Sequence, residues 1–320
     1  MTDIRGLIAV LLALLIGGPV VAQSYPDRPI RMLVGFTAGS ATDITARIVA
    51  QRLSEVWRVP VTVENVPGSS GAIAADRVAK AAPDGYTLMW SGNASITIVP
   101  SLQGAPYDPV RDLTPISLVL TMPSVLAVNK DLPAKSVPEL IALAKSQPGK
   151  LSYATPGVGT PQHIAGELLK TMAGIDIVHV PYRGAVITDV IGGRVPIALQ
   201  NAGSLLAVVR EGQLRGLAIT SLKPSPNIPE LPTLADSGFP GFEAISWFAF
   251  LAPAGTPAAI IAKVHQEATK IVADPEMRAR FAQLGLDTVG GSPGELAATI
   301  KTDLAKWAKV IKDAGIKPGE

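Results

Sequence analysis

Apolar positions along the chain follow two alternating rhythms. Short β-branched runs alternate with stretches in which apolar side chains recur every three or four residues, the pattern of an α/β protein with mostly parallel strands. The spacing predicts a strand over Ile30–Phe36 and a helix over Asp43–Trp57, with Ile44, Ile48, Val49, Leu53 and Val56 near one face. Strands are predicted at Val61–Glu64 and Thr87–Trp90, a helix at Ala72–Ala81, and a longer strand at Ser117–Val128 interrupted at Pro123. A similar cycle follows. Ser136 and Glu139 have the form of a capping box opening a helix to Ser146. Leu151–Ala154, Ile177–Val180, Ile197–Gln200 and Leu214–Thr220 are predicted strands; Pro161–Met172, Ala185–Ile191 and Leu205–Arg210 are predicted helices. The tail is helical: Thr256-Pro257 and Asp274-Pro275 each set a capping side chain before a proline. Ser292 and Glu295 form another capping box, ahead of a stripe made by Leu296, Ile300, Leu304, Trp307 and Ile311.

Two α/β cycles with a helical tail imply two lobes joined by more than one crossing, expected near Thr121–Val125 and Ala244–Ala249. The expected division is 23–122 with 247–320 for one lobe and 123–246 for the other. Residues 1–22 read as a signal peptide. Asp3 and Arg5 precede the apolar run Leu7–Ile16, Gly17-Gly18-Pro19 ends it, and Val20-Val21-Ala22 supplies small residues for cleavage. The run is shorter than the roughly 20 apolar residues that span a bilayer, so export to the periplasm is expected rather than anchoring.

Composition narrows the function. The chain is 48% hydrophobic and 17% charged, with a formal net charge of +2 and dispersed basic residues, which argues against nucleic acid. There is no cysteine, and the three histidines lie far apart in sequence, so neither thiolate chemistry nor a cysteine-bound metal is expected. No G-x-S-x-G elbow, P-loop or H-E-x-x-H is present, and no cofactor is implied.

Three strand-to-helix turns rich in glycine and hydroxyls stand out: Phe36-Thr37-Ala38-Gly39-Ser40-Ala41-Thr42-Asp43, Thr155-Pro156-Gly157-Val158-Gly159-Thr160-Pro161, and Pro181-Tyr182-Arg183-Gly184. Each ends where a helix begins, so free backbone N–H groups and the positive end of a helix dipole are offered to an anion. Such turns sit at the carboxyl ends of strands, where ligands bind in open α/β sheets. The same hydroxyls of Ser40, Thr42 and Thr160 also serve as helix caps, and Asp43 also suits a helix N-terminus; the sequence allows both. His179 reads as a core histidine, and His163 has a smaller claim on the cleft.

At these motifs the chain resembles the Bug-type (TctC) family, the extracytoplasmic binding proteins of tripartite tricarboxylate transporters. The resemblance covers essentially the whole mature chain. It is carried by Tyr25-Pro26, Pro29-Ile30, the Gly39–Asp43 turn, Val63-Glu64-Asn65 with Pro67-Gly68, and Ala79-Lys80-Ala81 with Pro83-Asp84-Gly85-Tyr86-Thr87-Leu88. It continues through Tyr107-Asp108-Pro109, His179-Val180-Pro181-Tyr182 and Leu251-Ala252-Pro253-Ala254-Gly255-Thr256-Pro257. It implies a type II periplasmic-binding-protein fold, two α/β lobes with a ligand buried between them. It further implies that a ligand carboxylate is held at the first turn, with the second lobe contributing 155–161 and 182–184. Phe36, Ser91 and Gln200 complete the candidate set. Three departures concern the substrate rather than the fold. Ala41 stands at the family's usual serine position while Ser40 takes the second-glycine position, Gln200 stands where many relatives carry aspartate, and the Trp90–Ile96 segment differs from the commoner version.

The expectation is therefore a monomeric binding protein, not an enzyme, that captures a small carboxylate and delivers it to a membrane permease. A sensor presenting the closed complex to a receptor is the alternative within binding, and a hydrolase acting in the cleft is the alternative outside it. Gln200 carries no charge to meet an ammonium group, so a dicarboxylate or aromatic acid without an amino group is favoured.

Overall fold

The computed structural model describes residues 25–182 and 186–317, so the signal-peptide expectation, Arg183 and Gly184 lie outside the described residues. The chain runs β1 (Ile30–Val34), α1 (Ala41–Trp57), β2 (Val61–Asn65), a 3-10 turn at Ser69–Gly71, α2 (Ala72–Ala79) and β3 (Thr87–Gly92). A π-type turn at Ala94–Ile98 and the short α3 (Val99–Gln103) precede β4 (Leu113–Met122) and β5 (Ser124–Asn129). Next come α4 (Val137–Ser146), β6 (Ser152–Thr155), α5 (Pro161–Ala173), β7 (Val178–Pro181), α6 (Val186–Ile191), β8 (Ile197–Asn201), α7 (Ala202–Arg210) and β9 (Leu214–Ile219). A long loop leads to β10 (Ser246–Pro253), then α8 (Ala258–Ala273), α9 (Pro275–Gln283), β11 (Asp287–Gly291) and α10 (Pro293–Asp313).

The strands form two sheets, ordered β11-β4-β10-β3-β1-β2 and β7-β6-β8-β5-β9, one in each lobe. Neither is parallel throughout. β1 pairs in parallel with β2 and β3, and β6 with β7 and β8, whereas β4, β5 and β10 run antiparallel to their neighbours. These antiparallel strands are the ones through which the chain changes lobe. What the apolar pattern suggests as one strand across Pro123 is two: Met122 pairs with Ser246 in the first sheet, and Ser124 with Asn201 in the second. Proline has no N–H to continue a ladder, so the register breaks there and the chain crosses over. The chain returns between Ile219 and Ser246, which places Met122, Ser124, Asn201 and Ser246 together at the junction of the lobes.

Local signals explain most helix starts. Ser40, Ser136, Thr160, Asp274 and Ser292 each accept a hydrogen bond from a first-turn amide. Only Ser292 completes a capping box; Glu139 turns to the Lys135 amide instead of that of Ser136. Thr256 does not cap α8: its hydroxyl donates to Pro253 and the helix begins one residue after Pro257. In α1 the buried face is Thr45, Ala46, Ile48, Val49, Ala50 and Leu53, while Ile44 and Val56 stand 40% and 45% exposed.

The closing helix α10 serves both lobes. Leu296 and Ile300 pack with Leu33, Met89 and Leu251 beside the first sheet. Trp307 and Ile311 join Leu126, Tyr153 and Leu199 beside the second. One apolar stripe is therefore divided between two cores. Trp307 is 2% exposed, and truncating so large a buried ring leaves a cavity that the helix cannot close. Trp307→Ala is expected to destabilise the protein by about 3–5 kcal/mol in chemical denaturation.

Candidate functional site

Where the lobes meet, a cavity of about 480 Å³ opens between the segments that follow β1, β3, β6 and β8, helix α6 and the start of β10. This lies in the range of small-molecule sites, roughly 300–1,000 Å³. Its first wall is the turn after β1, from which Phe36, Thr37, Gly39, Ser40, Ala41 and Thr42 line the space. Pro156, Thr160, Pro161 and Gln162 line it from the turn after β6, and Gln200, Asn201 and Ser204 from the end of β8 and start of α7. Val186, Ile187 and Thr188 contribute from α6, Gly92, Asn93 and Ala94 from the end of β3, and Ser246, Trp247 and Phe248 from β10.

Among the described lining residues none is charged. What the cavity offers instead is backbone. The N-termini of α1, α5 and α7 all border it, and first-turn amides such as those of Thr42, Gln162 and Ser204 have no acceptor within their own helices. The macrodipoles of three helices point their positive ends into one uncharged space, an arrangement that stabilises negative charge.

The charges nearby are committed elsewhere. Asp43 is 2% exposed and does not line the cavity; its carboxylate accepts from the Gly39 amide at 2.9 Å, from Asn65 Nδ2 at 2.8 Å and from Arg47 Nε at 3.0 Å. Burial pushes this carboxyl up, but the bonds from Arg47, Gly39 and Asn65 and the Arg47 charge outweigh it and hold it below the usual carboxylate range. Asn65 also donates to the Phe36 carbonyl at 2.9 Å, so Asp43 and Asn65 clamp both ends of the turn. Gly39 sits at φ +82°, a left-handed conformation open to glycine at little cost, and this turns its amide toward Asp43.

The remaining candidates act behind the second turn or apart from the cavity. Thr155 Oγ1 lies 2.7 Å from His179 Nε2 and accepts from the Gly157 amide at 3.2 Å, and the Gly159 amide donates to His163 Nδ1 at 3.3 Å. These bonds brace the loop that presents Thr160. Tyr182 binds Asp189 through its hydroxyl at 2.8 Å, and Ser91 pairs with Ser95 at 2.6 Å; neither lines the cavity. Trp90 is fully buried, donating to Thr45 Oγ1 and set edge-on to Phe250, whereas Trp247 does border the cavity with its indole N–H on Asp303.

The sequence reading missed a set of carboxamides and hydroxyls at the crossing point. Gln162 Nε2 lies 2.9 Å from Ser124 Oγ, 2.6 Å from Asn201 Oδ1 and 3.3 Å from Ser246 Oγ, joining α5, β5, β8 and β10. Asn93 Nδ2 donates to the Ile245 carbonyl at 2.7 Å. Gln200, 6% exposed, borders the cavity with no side-chain hydrogen bond among the described residues. The two lobes also touch at the far rim, where Ser70 Oγ donates to the Val158 carbonyl at 2.9 Å.

With this geometry in hand, comparisons with known proteins agree. The family described as the tripartite tricarboxylate transporter family receptor matches residues 45–316. Protein BugT of Bordetella pertussis is 35% identical over 325 residues, covering 99% of both chains. The structure of Rhodopseudomonas palustris Rpa4515 with adipate superposes with a TM-score of 0.86 at 36% identity, covering 92% of this chain and 99% of that one. MatC from Rhodopseudomonas palustris with bound malate gives 0.81 at 28% identity, over 90% and 100% of the two chains.

Behind the second turn, the stacked rings of His163 and His179, with centroids 4.2 Å apart, make folding sensitive to acid. Burial lowers His163 to about 4, with Glu167 opposing and Lys170 assisting; burial, then His163 and Lys170, lower His179 to about 3. Unfolded histidines titrate near 6.5, so the unfolded chain binds more protons below that pH and the folded state loses stability as pH falls from about 6.5 toward 4. Denaturation at pH 7 and pH 5 should differ by about 2 kcal/mol from His163 alone, and His163→Gln should flatten that slope.

Proposed function

This chain belongs to the tripartite tricarboxylate transporter receptor family, and from that membership we propose that it is a periplasmic protein that captures a small carboxylate lacking an amino group and delivers it to the membrane subunits of a tripartite transporter. The family is one of receptors, not enzymes. The observation that carries the ligand class is the cavity bordered by three helix N-termini, with no charged side chain among its described lining residues. A carboxylate there is met by oriented N–H groups; an ammonium is met by no carboxylate, because Asp43 is held outside the cavity by Gly39, Asn65 and Arg47. Binding of adipate by Rpa4515 and of malate by MatC supports a carboxylate, and neither ligand bears an amino group.

In this reading one carboxylate sits against Thr37 to Thr42, with Thr160 and Gln162 closing over it from the second lobe. Gln200 and Asn201 meet the other end, and Phe36, Trp247 and Phe248 supply the apolar walls. The side chain of Gln200 donates as well as accepts, which suits a second carboxylate or a carbonyl oxygen. The lobes 23–122 with 247–320 and 123–246 close about the ligand, and the apolar leader at 1–22 directs export. No helix among the described residues is long and apolar enough to cross a membrane, in keeping with a protein that reaches the membrane only through its partners.

Calorimetry with succinate and aspartate tests the reading on a matched pair. Succinate is expected to bind at least about tenfold more tightly, since an uncompensated buried ammonium costs well over the 1.4 kcal/mol that a factor of ten represents. Gln200→Asp should shift the preference toward aspartate. Tighter binding of aspartate by the unaltered protein would overturn the proposal.

A further inference from the structure

A second hollow adjoins the cavity on the outer side of the first turn. It is a slot of about 60 Å³ between the start of α1 and the start of α7, lined by Ile44, Thr45, Met122, Leu284 and Leu286. Gly39, Ala41 and Ser204 border both spaces. All three are small, so the divider between cavity and slot carries no bulky side chain. The floor is apolar and dry in character: Met122 and Leu286 are each 1% exposed, and the Thr45 hydroxyl is fully engaged, donating to the Ala41 carbonyl at 2.8 Å and accepting from Trp90 Nε1 at 3.0 Å. No charged side chain lines it, so it has nothing to hold a second carboxylate.

We propose that the ligand is a carboxylate with an apolar chain, its acid head in the cavity and its chain running past Ala41 and Ser204 into the slot against Ile44, Met122 and Leu286. The proposal rests on the carboxylate head in the cavity and replaces the second anchor at Gln200 and Asn201 with the slot. A cavity of about 150 Å³ accepts a benzene ring, so a slot less than half that size fits a slim alkyl chain better than an aromatic one. Ile44 closes the outer side while remaining 40% exposed, which accounts for an apolar residue at a solvent-facing position of α1.

Butanoate, hexanoate, octanoate and succinate, titrated calorimetrically into the full-length mature protein, test this. Affinity should rise along the monocarboxylate series by roughly fourfold for each methylene that becomes buried. Ile44→Trp fills the slot and should leave butanoate within about twofold while removing the gain from hexanoate to octanoate. Ile44→Asp, which adds a charge without bulk, should weaken octanoate in the same selective way; a melting curve for each variant establishes that it is folded. Equal affinity along the series, or an undiminished gain in both folded variants, would overturn the chain. Binding of succinate without any monocarboxylate would overturn it too and leave the carboxylate reading standing, whereas no binding by all four acids would overturn both.

Discussion

A cavity whose described lining residues carry no charge can favour an anion only through dipoles that cannot turn away. Water solvates an anion by reorienting; a backbone amide at a helix N-terminus does the same work only if its helix is fixed beforehand. Much of the structure around the cavity serves that requirement. Asp43 is a full negative charge within four residues of Gly39, and left free it would compete for the same amides a ligand needs. Instead Arg47 and Asn65 hold it behind the turn, where it accepts the Gly39 amide, while Ala41 and Thr42 line the cavity. In the second lobe the histidine pair does the equivalent work with neutral groups. His163 accepts from Gly159 and His179 meets Thr155, so the loop is pinned without adding charge behind the cavity.

The same requirement makes the junction between the lobes part of the site. Gln162 stands at the second position of α5, where it borders the cavity and its side chain gathers Ser124, Asn201 and Ser246. Ser124 and Ser246 belong to the two crossing segments, so α5 is oriented relative to the strands that join the lobes. Each hydrogen bond is worth about 1 kcal/mol net, but leaving one of these buried groups unpaired would cost more than making the bond gains. Opening that preserved the network would therefore rotate the lobes about this point rather than pull them apart.

What could be read from the sequence follows the range of the interactions. Caps are local, and Ser40, Thr160, Asp274 and Ser292 were visible as such because their partners lie within three residues. The turns of 36–42 and 160–161 that border the cavity were legible for the same reason. β10 was seen only as an apolar crossing, because every residue from Ser246 to Pro253 is buried and the alternation that marks a strand is lost. β11, with paired glycines and a register shift against β4, carries little strand signal at all. Asp43 could be read as a ligand contact or as a helix-dipole partner. What decides it is Asn65, 22 residues away, and no local pattern announces that pairing. Gln162, Asn201 and Ser246 were missed for the same reason: each is unremarkable in its own segment, and they meet only because the two crossings bring them together. The family resemblance supplied the two-lobed fold that local patterns implied only loosely.

The ties between the lobes differ in kind. α10 packs Leu296 and Ile300 on one core and Trp307 and Ile311 on the other, so one side of the molecule is joined by a continuous helix with large apolar side chains. Asn227 adds a bond to Asp287 at 2.7 Å, linking the loop after β9 to β11. At the rim beyond the second turn Ser70 donates to the Val158 carbonyl, and Ile98 and Leu102 join Val158 and Trp307 in one apolar cluster. Ser70 and its neighbour Ser69 hold φ values of +47° and +46°, a region that non-glycine residues occupy at a cost of about 1–3 kcal/mol. A bond worth about 1 kcal/mol, made from a strained turn, adds little to that packing.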